Sequence, residues 1–187
     1  MSDLEPRIAP LRAPDAADGL LARMPVTPSG TPMNLFATLA HAPQLLRGVG
    51  VLGAAVTTRS GLPVADRELA ILRTAATLGC AYELGHHRVL AVEAGIDPAH
   101  VEAVIVRGSL DWADERQRVV VACADELLAT NALGDPAWEA LAPFYDEPQR
   151  MELLALVGFY RFLAGLLDGL RIAPEDDPGL RTVLSFS

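Results

Sequence analysis

A chain of 187 residues, 51% of them hydrophobic and only two of them cysteine, can bury a sizeable core as one domain without disulfide staples. Its formal net charge of -9, with no basic cluster, argues against nucleic acid or an anionic membrane surface as a partner. All 15 basic residues are arginine, so the lysine-imine chemistry of aldolases and pyridoxal enzymes is excluded.

Residues 1–33 mix Pro, Gly and charged side chains without a sustained period, which predicts an N-terminal arm. The opening MSDLEPRIAP lacks the positive flank and apolar run of a secretory signal, so the expected location is cytoplasmic. Asn34 is placed to cap a short helix through His41, and Ala42-Pro43 to open a second that runs to about Thr58. After the loop RSGLP, a helix is expected over 64–78, and past Gly79 another over 80–94 with Gly95 as its C-cap. Asp97-Pro98 and Asp135-Pro136 each read as an N-cap followed by a first-turn proline, and longer helices are expected over 113–131 and 148–170. The apolar run 151–170 has Arg161 at its middle and Glu152 and Asp168 near its ends, which predicts a buried helix and no membrane span. The tail 173–187, with APEDDPGL, resembles the arm in composition. No segment alternates long enough to predict a strand, so the fold class is all-α with a helical domain over 34–172.

The stretch GCAYELGHH, residues 79–87, sets a thiol, a carboxylic acid and two imidazoles in an apolar context. Helical spacing puts Cys80, Glu83, Leu84, His87, Ala91 and Ala94 on one stripe, and in the preceding helix puts Glu68 with Ile71, Leu72 and Ala75. Arg67 and Thr74 fall off that stripe, and Arg73 and Arg88 are likewise unplaced, so no arginine is assigned to a substrate acid. A carboxylate removed from water must be paired or protonated, so buried Glu68, Glu83 and His87 would seek one another and hold a proton near neutral pH. His87 is then a candidate general acid/base, Glu68 its proton partner, and Glu83 a second acid or clamp. Against this stands the commoner fate of a Glu and His one turn apart, a surface pair worth a few tenths of a kcal/mol. Cys80 would line the pocket beside Tyr82, whose ring reads as core with its hydroxyl satisfied, and His86, which is expected at the surface. Cys123, inside VVVACA, reads as inert core, and a disulfide to Cys80 would require the fold to bring their α-carbons together. Glu68, Glu83 and a histidine could also ligate a divalent ion, but the spacing lacks the HExxH or Glu-x-x-His pattern, so no metal and no cofactor is expected.

Written as a pattern, the region is Glu68, eleven residues, Cys80, two residues, Glu83, three residues, His87. This resembles the signature of the carboxymuconolactone decarboxylase and alkylhydroperoxidase D superfamily, whose peroxidase branch has a second cysteine where this chain has Glu83. The surrounding RELAILRTAATLGCAYELGHHRVLAVEAG, and the later DPAWEALAPF and VGFYRFLAGLL, are similar to the same family, so the resemblance spans roughly 34–170. It implies an alkylhydroperoxidase D-like helical bundle that assembles as a trimer or hexamer, with the site near subunit contacts. A lone Cys80 cannot close the two-cysteine disulfide, which sets the chain nearer the cofactor-independent decarboxylase branch. The expected function is therefore a lyase or isomerase acting by Glu/His proton transfer on a small organic acid or lactone. The alternatives are a single-cysteine hydroperoxidase using Cys80, or a helical oligomer that binds a small molecule without turnover. The lysine-free, Ala- and Arg-rich composition suggests a bacterial source.

Overall fold

The computed structural model describes residues 5–12, 17 and 19–178; the remainder of the predicted arm and the tail beyond 178 lie outside the described residues. Eight α-helices follow in order: α1 Asn34–Leu39, α2 Pro43–Val56, α3 Val64–Leu78, α4 Ala81–Glu93, α5 Pro98–Ile105, α6 Glu115–Thr130, α7 Asp135–Leu141 and α8 Glu147–Leu170. Among the described residues no strand forms, and only an isolated bridge joins Val26 to Pro32.

Local signals account for most of the boundaries. α3 stops because Gly79 takes the left-handed conformation (φ 72°), where a side chain would be strained, and α4 then starts after Cys80. α6 and α8 both open on a capping box, Asp114 with Gln117 and Asp146 with Gln149, which satisfies two otherwise orphaned backbone amides at each end. Asp97 caps α5 by accepting from the Ala99 amide. Two expected caps are displaced. Asn34 is the first residue of α1 after Met33, and its side-chain amide donates to the Ala173 carbonyl at 2.8 Å. Asp135 is the first residue of α7 after Gly134, where its charge still favours the helix N-terminus.

α3 is the central element and packs against α4, α5, α6 and α8. Nine of its residues are buried, so its polar members Asp66, Glu68, Arg73 and Thr74 leave water along with the apolar ones. The larger core cluster joins α1, α2 and α8, and takes in Leu20, Leu21 and Met24 from the arm and Ile172 from beyond α8. α2 approaches α8 so closely at Gly53 that an added methyl would lie 3.3 Å from Phe159, tighter than ordinary van der Waals contact. A smaller cluster of Leu69, Leu72, Ala91, Ile96, Val101, Val104 and Val121 fills the far side of α3. α8 is long and apolar enough to cross a membrane, yet Leu153, Leu156, Val157, Tyr160, Leu163 and Leu167 are buried inside the bundle. It is a core helix with an exposed back carrying Met151 and Phe162.

Candidate active site

The turn at Gly79 and Cys80 folds α4 back against α3, which brings Glu68 to the partner face of Glu83 and His87. His87 Nδ1 lies 2.6 Å from Glu68 Oε2, and its Nε2 lies 3.3 Å from Glu83 Oε2. The three side chains are about 95% buried. Burial alone would lower the imidazole pKa, but the charge of Glu68 and the hydrogen bonds from Glu68 and Glu83 outweigh it, raising His87 to about 9. At neutral pH His87 is therefore an imidazolium held between two acids.

These groups form the polar end of a cavity of about 330 Å³ whose opposite walls include Met33, Leu35, Val49, Phe159 and Leu163. That volume suits a small organic molecule. Tyr160 from α8 stands edge-on to the His87 ring, with centroids 5.0 Å apart. Its phenol is pushed well above the usual tyrosine range by burial, then by the carboxylates of Glu83 and Glu68. The hydroxyl is a donor that does not ionise.

Several sequence expectations are revised. Cys80 does not line the cavity: it is fully buried in the larger core cluster, and burial, followed by the charges of Glu83 and Asp168, pushes its thiol up to about 12 against the backbone amides that favour the thiolate. Cys123 is likewise buried and raised to about 12, chiefly by burial, and both thiols are free. His86, expected at the surface, is 2% exposed and lines the cavity, because its Nε2–H donates to Glu175 at 2.5 Å. Tyr82 lines the cavity as expected, and its hydroxyl donates to the same carboxylate at 2.7 Å while accepting from the Leu35 amide at 3.3 Å. Arg67, read as pointing away, also reaches the cavity: its Nη1 donates to the Thr57 carbonyl at 2.7 Å and its Nε lies 3.7 Å from Glu68. A long side chain can wrap around its own helix, which a stripe of α-carbon positions does not capture.

Glu175 and Tyr160 were not singled out in the sequence. Glu175 sits in the acidic run EDD and accepts three hydrogen bonds, the third from the Asn34 amide at 2.5 Å. Burial would raise its carboxyl, but the bonds from His86, Asn34 and Tyr82 hold it below the usual range. Nothing in the run distinguishes Glu175 from Asp176 or Asp177 before the fold is known. For Tyr160 the only signal was a phenol at helical spacing among apolar residues, the pattern of ordinary core packing. Among the described residues no group of three or more His, Cys, Asp or Glu side chains is arranged to hold a metal ion.

The model of the carboxymuconolactone decarboxylase family matches residues 43–126, the stretch holding Glu68, Glu83 and His87. Over that stretch, a little under half of its length, the chain is similar to the carboxymuconolactone decarboxylase family. Solved structures share the all-α fold of the chain. The apo debrominase Bmp8 aligns with a TM-score of 0.75 at 20% identity, over 91% of this chain and 93% of that one. A cysteine-to-alanine variant of Bmp8 in complex with 2,3,4-tribromopyrrole aligns with a TM-score of 0.76 at 18% identity, over 95% and 96%. An alkylhydroperoxidase D core protein from Ralstonia eutropha JMP134, described as an uncharacterised peroxidase-related protein, aligns at 0.70 and 22% identity over 79% and 80%. No curated protein sequence matches the chain. At these identities the superfamily likeness carries the fold, and the chemistry has to be argued from this chain's own residues.

Proposed function

We propose that this protein is a carboxymuconolactone decarboxylase-like, cofactor-independent lyase or isomerase that moves protons between the Glu68–His87–Glu83 cluster and a small lactone or organic acid. The observation that carries the reading is His87 clasped between two buried carboxylates, at 2.6 and 3.3 Å, on the lining of a largely apolar cavity. Glu68, at the shorter distance, orients the ring and stabilises its charge. The longer contact to Glu83 leaves Nε2–H or Glu83 itself as the group that exchanges a proton with substrate.

In an isomerisation, a base at this end removes a proton from carbon next to a carbonyl, the electron pair delocalises onto the carbonyl oxygen, and a proton returns at another carbon. In a decarboxylation, the carbon–carbon bond to the carboxyl group breaks, carbon dioxide leaves, and the pair held by the conjugated lactone is quenched by the proton from His87. The second case brings an anion to the site, and the cation available for it, Arg67, is already shared with Glu68 and with the Thr57 carbonyl.

The single-cysteine hydroperoxidase reading has less support. A peroxidatic cysteine reacts as thiolate at an accessible position, whereas Cys80 is sealed, raised to about 12, and outside the cavity. The Bmp8 complex with a small brominated ring is consistent with a small-molecule cavity in this fold, but not with a particular reaction here.

The test is turnover of a panel of lactones and their ring-opened acids by the intact chain and by His87→Ala and Glu68→Gln. Loss of a positioned general acid/base lowers the rate by about 10²–10⁴-fold. Unchanged turnover in both variants would remove the cluster from the mechanism, and a cavity that binds panel members without converting any would make the chain a binding protein.

A further inference from the structure

The polar end of the cavity is charge-balanced before anything binds. Glu68 and Glu83 bring two formal negative charges, and Arg67 and the imidazolium of His87 bring two positive ones, while the exposed Glu93 on the lining adds a further negative charge. Each cation already stands beside a carboxylate: His87 is bonded between Glu68 and Glu83, and Arg67 lies 3.7 Å from Glu68 while its Nη1 donates to the Thr57 carbonyl. His86, on the neighbouring wall, is bonded to Glu175.

Besides Arg67, whose Nε is buried without a hydrogen-bond partner, hydrogen-bonding capacity remains at two places. Glu83 is 4% exposed and meets one partner, His87, at the long distance of 3.3 Å. The Tyr160 hydroxyl has no hydrogen-bond partner among the described residues, although the residue is 6% exposed. Neither group is among the buried polar atoms sealed without a partner, so both open onto the cavity they line. The unspent groups that open onto the cavity are thus a carboxylate and a hydroxyl, and among the described lining residues every cation already faces a carboxylate.

An anion placed here would face Glu83 and could reach Arg67 only in competition with Glu68, which is costly in a poorly hydrated site. A neutral molecule that donates to Glu83 adds no charge and supplies the bond the carboxylate lacks, while the Tyr160 hydroxyl donates back to an acceptor on the same molecule. We propose that the cavity selects a neutral, largely apolar small molecule carrying an N–H or O–H donor beside an acceptor atom, with Glu83 taking the donor and Tyr160 the acceptor. It excludes the carboxylate anion of similar size. This rests on reading the cavity as a small-molecule site, and within that reading it favours isomerisation of a neutral enol or lactone over decarboxylation of an acid.

The experiment uses three near-isosteric probes at pH 7 with the intact chain, followed by calorimetry: p-chlorophenol, which is neutral with a donor; p-chloroanisole, which is neutral without one; and p-chlorobenzoate, an anion. The phenol is expected to bind at least about tenfold more tightly than either of the others, the size of effect expected for one charge-assisted hydrogen bond. Glu83→Gln should weaken the phenol and strengthen the benzoate, and Tyr160→Phe should weaken the phenol several-fold with the melting temperature unchanged. Benzoate binding as tight as phenol binding, or a phenol-to-benzoate ratio that neither variant moves, overturns the proposal while leaving the small-molecule reading in place. Failure of all three probes to bind the folded chain overturns both.

Discussion

Helix α3 carries two sets of buried polar side chains, and they differ in what their partners leave over. On one side Arg73 donates to both oxygens of Asp125, at 2.7 and 2.8 Å, and to the Val104 carbonyl at 2.8 Å. Near the helix start, Asp66 accepts from the Tyr145 hydroxyl at 2.7 Å and lies 3.1 Å from Arg116, its other oxygen sealed in the interior. On the cavity side, Glu68 meets His87, but Glu83 and Tyr160 keep capacity that opens into empty volume. Ion pairs sealed from open volume, even with Asp66 Oδ1 left unpartnered, tie α3 to its neighbours, whereas polar groups left facing a cavity are disposed to meet a ligand.

The largest expected effect belongs to the closed set. Arg73→Met removes the two bonds to Asp125, which keeps Arg107 at 3.4 Å, and the bond to the Val104 carbonyl; three charge-assisted bonds at about 1.5 kcal/mol each come to about 3–5 kcal/mol. Chemical denaturation should show that loss, and probe binding by the folded fraction should stay unchanged. If binding falls in proportion, the two sides of α3 are not separable.

Next comes the pH dependence of the open set. His87 in the folded chain titrates near 9, above the ordinary histidine value of about 6.5, so its contribution is fully present below pH 6.5 and is lost as the pH rises through 9. That contribution is on the order of 3 kcal/mol. Denaturation curves between pH 6 and 10 should show the decline, and His87→Gln should flatten it; an unchanged slope in the variant would assign the decline to another group.

A smaller contrast separates the two phenols. Tyr145→Phe leaves Asp66 without its hydroxyl donor and should cost about 1–2 kcal/mol, while Tyr160→Phe removes a hydroxyl with no bond among the described residues and should cost close to none. Equal losses would mean that Tyr160 is also structural. Smallest of all is the reactivity of the thiols: both Cys80 and Cys123 should resist alkylation at neutral pH until the chain unfolds, which mass spectrometry after iodoacetamide would read.

What was legible in the sequence follows from local physics. The span 64–78 is the observed span of α3, and the ends of α4, α6 and α8 fall within two residues of expectation, because glycine conformation, capping acids and proline act over a turn or less. Helical spacing likewise placed Glu83 one turn from His87 and set Glu68 toward the interior, so the core of the candidate site was visible in one dimension. The remainder depended on contacts across long separations. His86 looked like a surface residue because its partner, Glu175, lies 89 positions away in a stretch with no helical period. Arg67 and Tyr160 became cavity residues only when α2 and α8 closed around α3, and Cys80 was removed from the site by the same packing. The sequence by itself determined the helices and the acid–imidazole spacing, since these arise from backbone geometry within a few residues. Tertiary structure alone decided which polar atoms are satisfied and which still face open volume, since hydrogen-bond saturation depends on neighbours that chain order does not reveal.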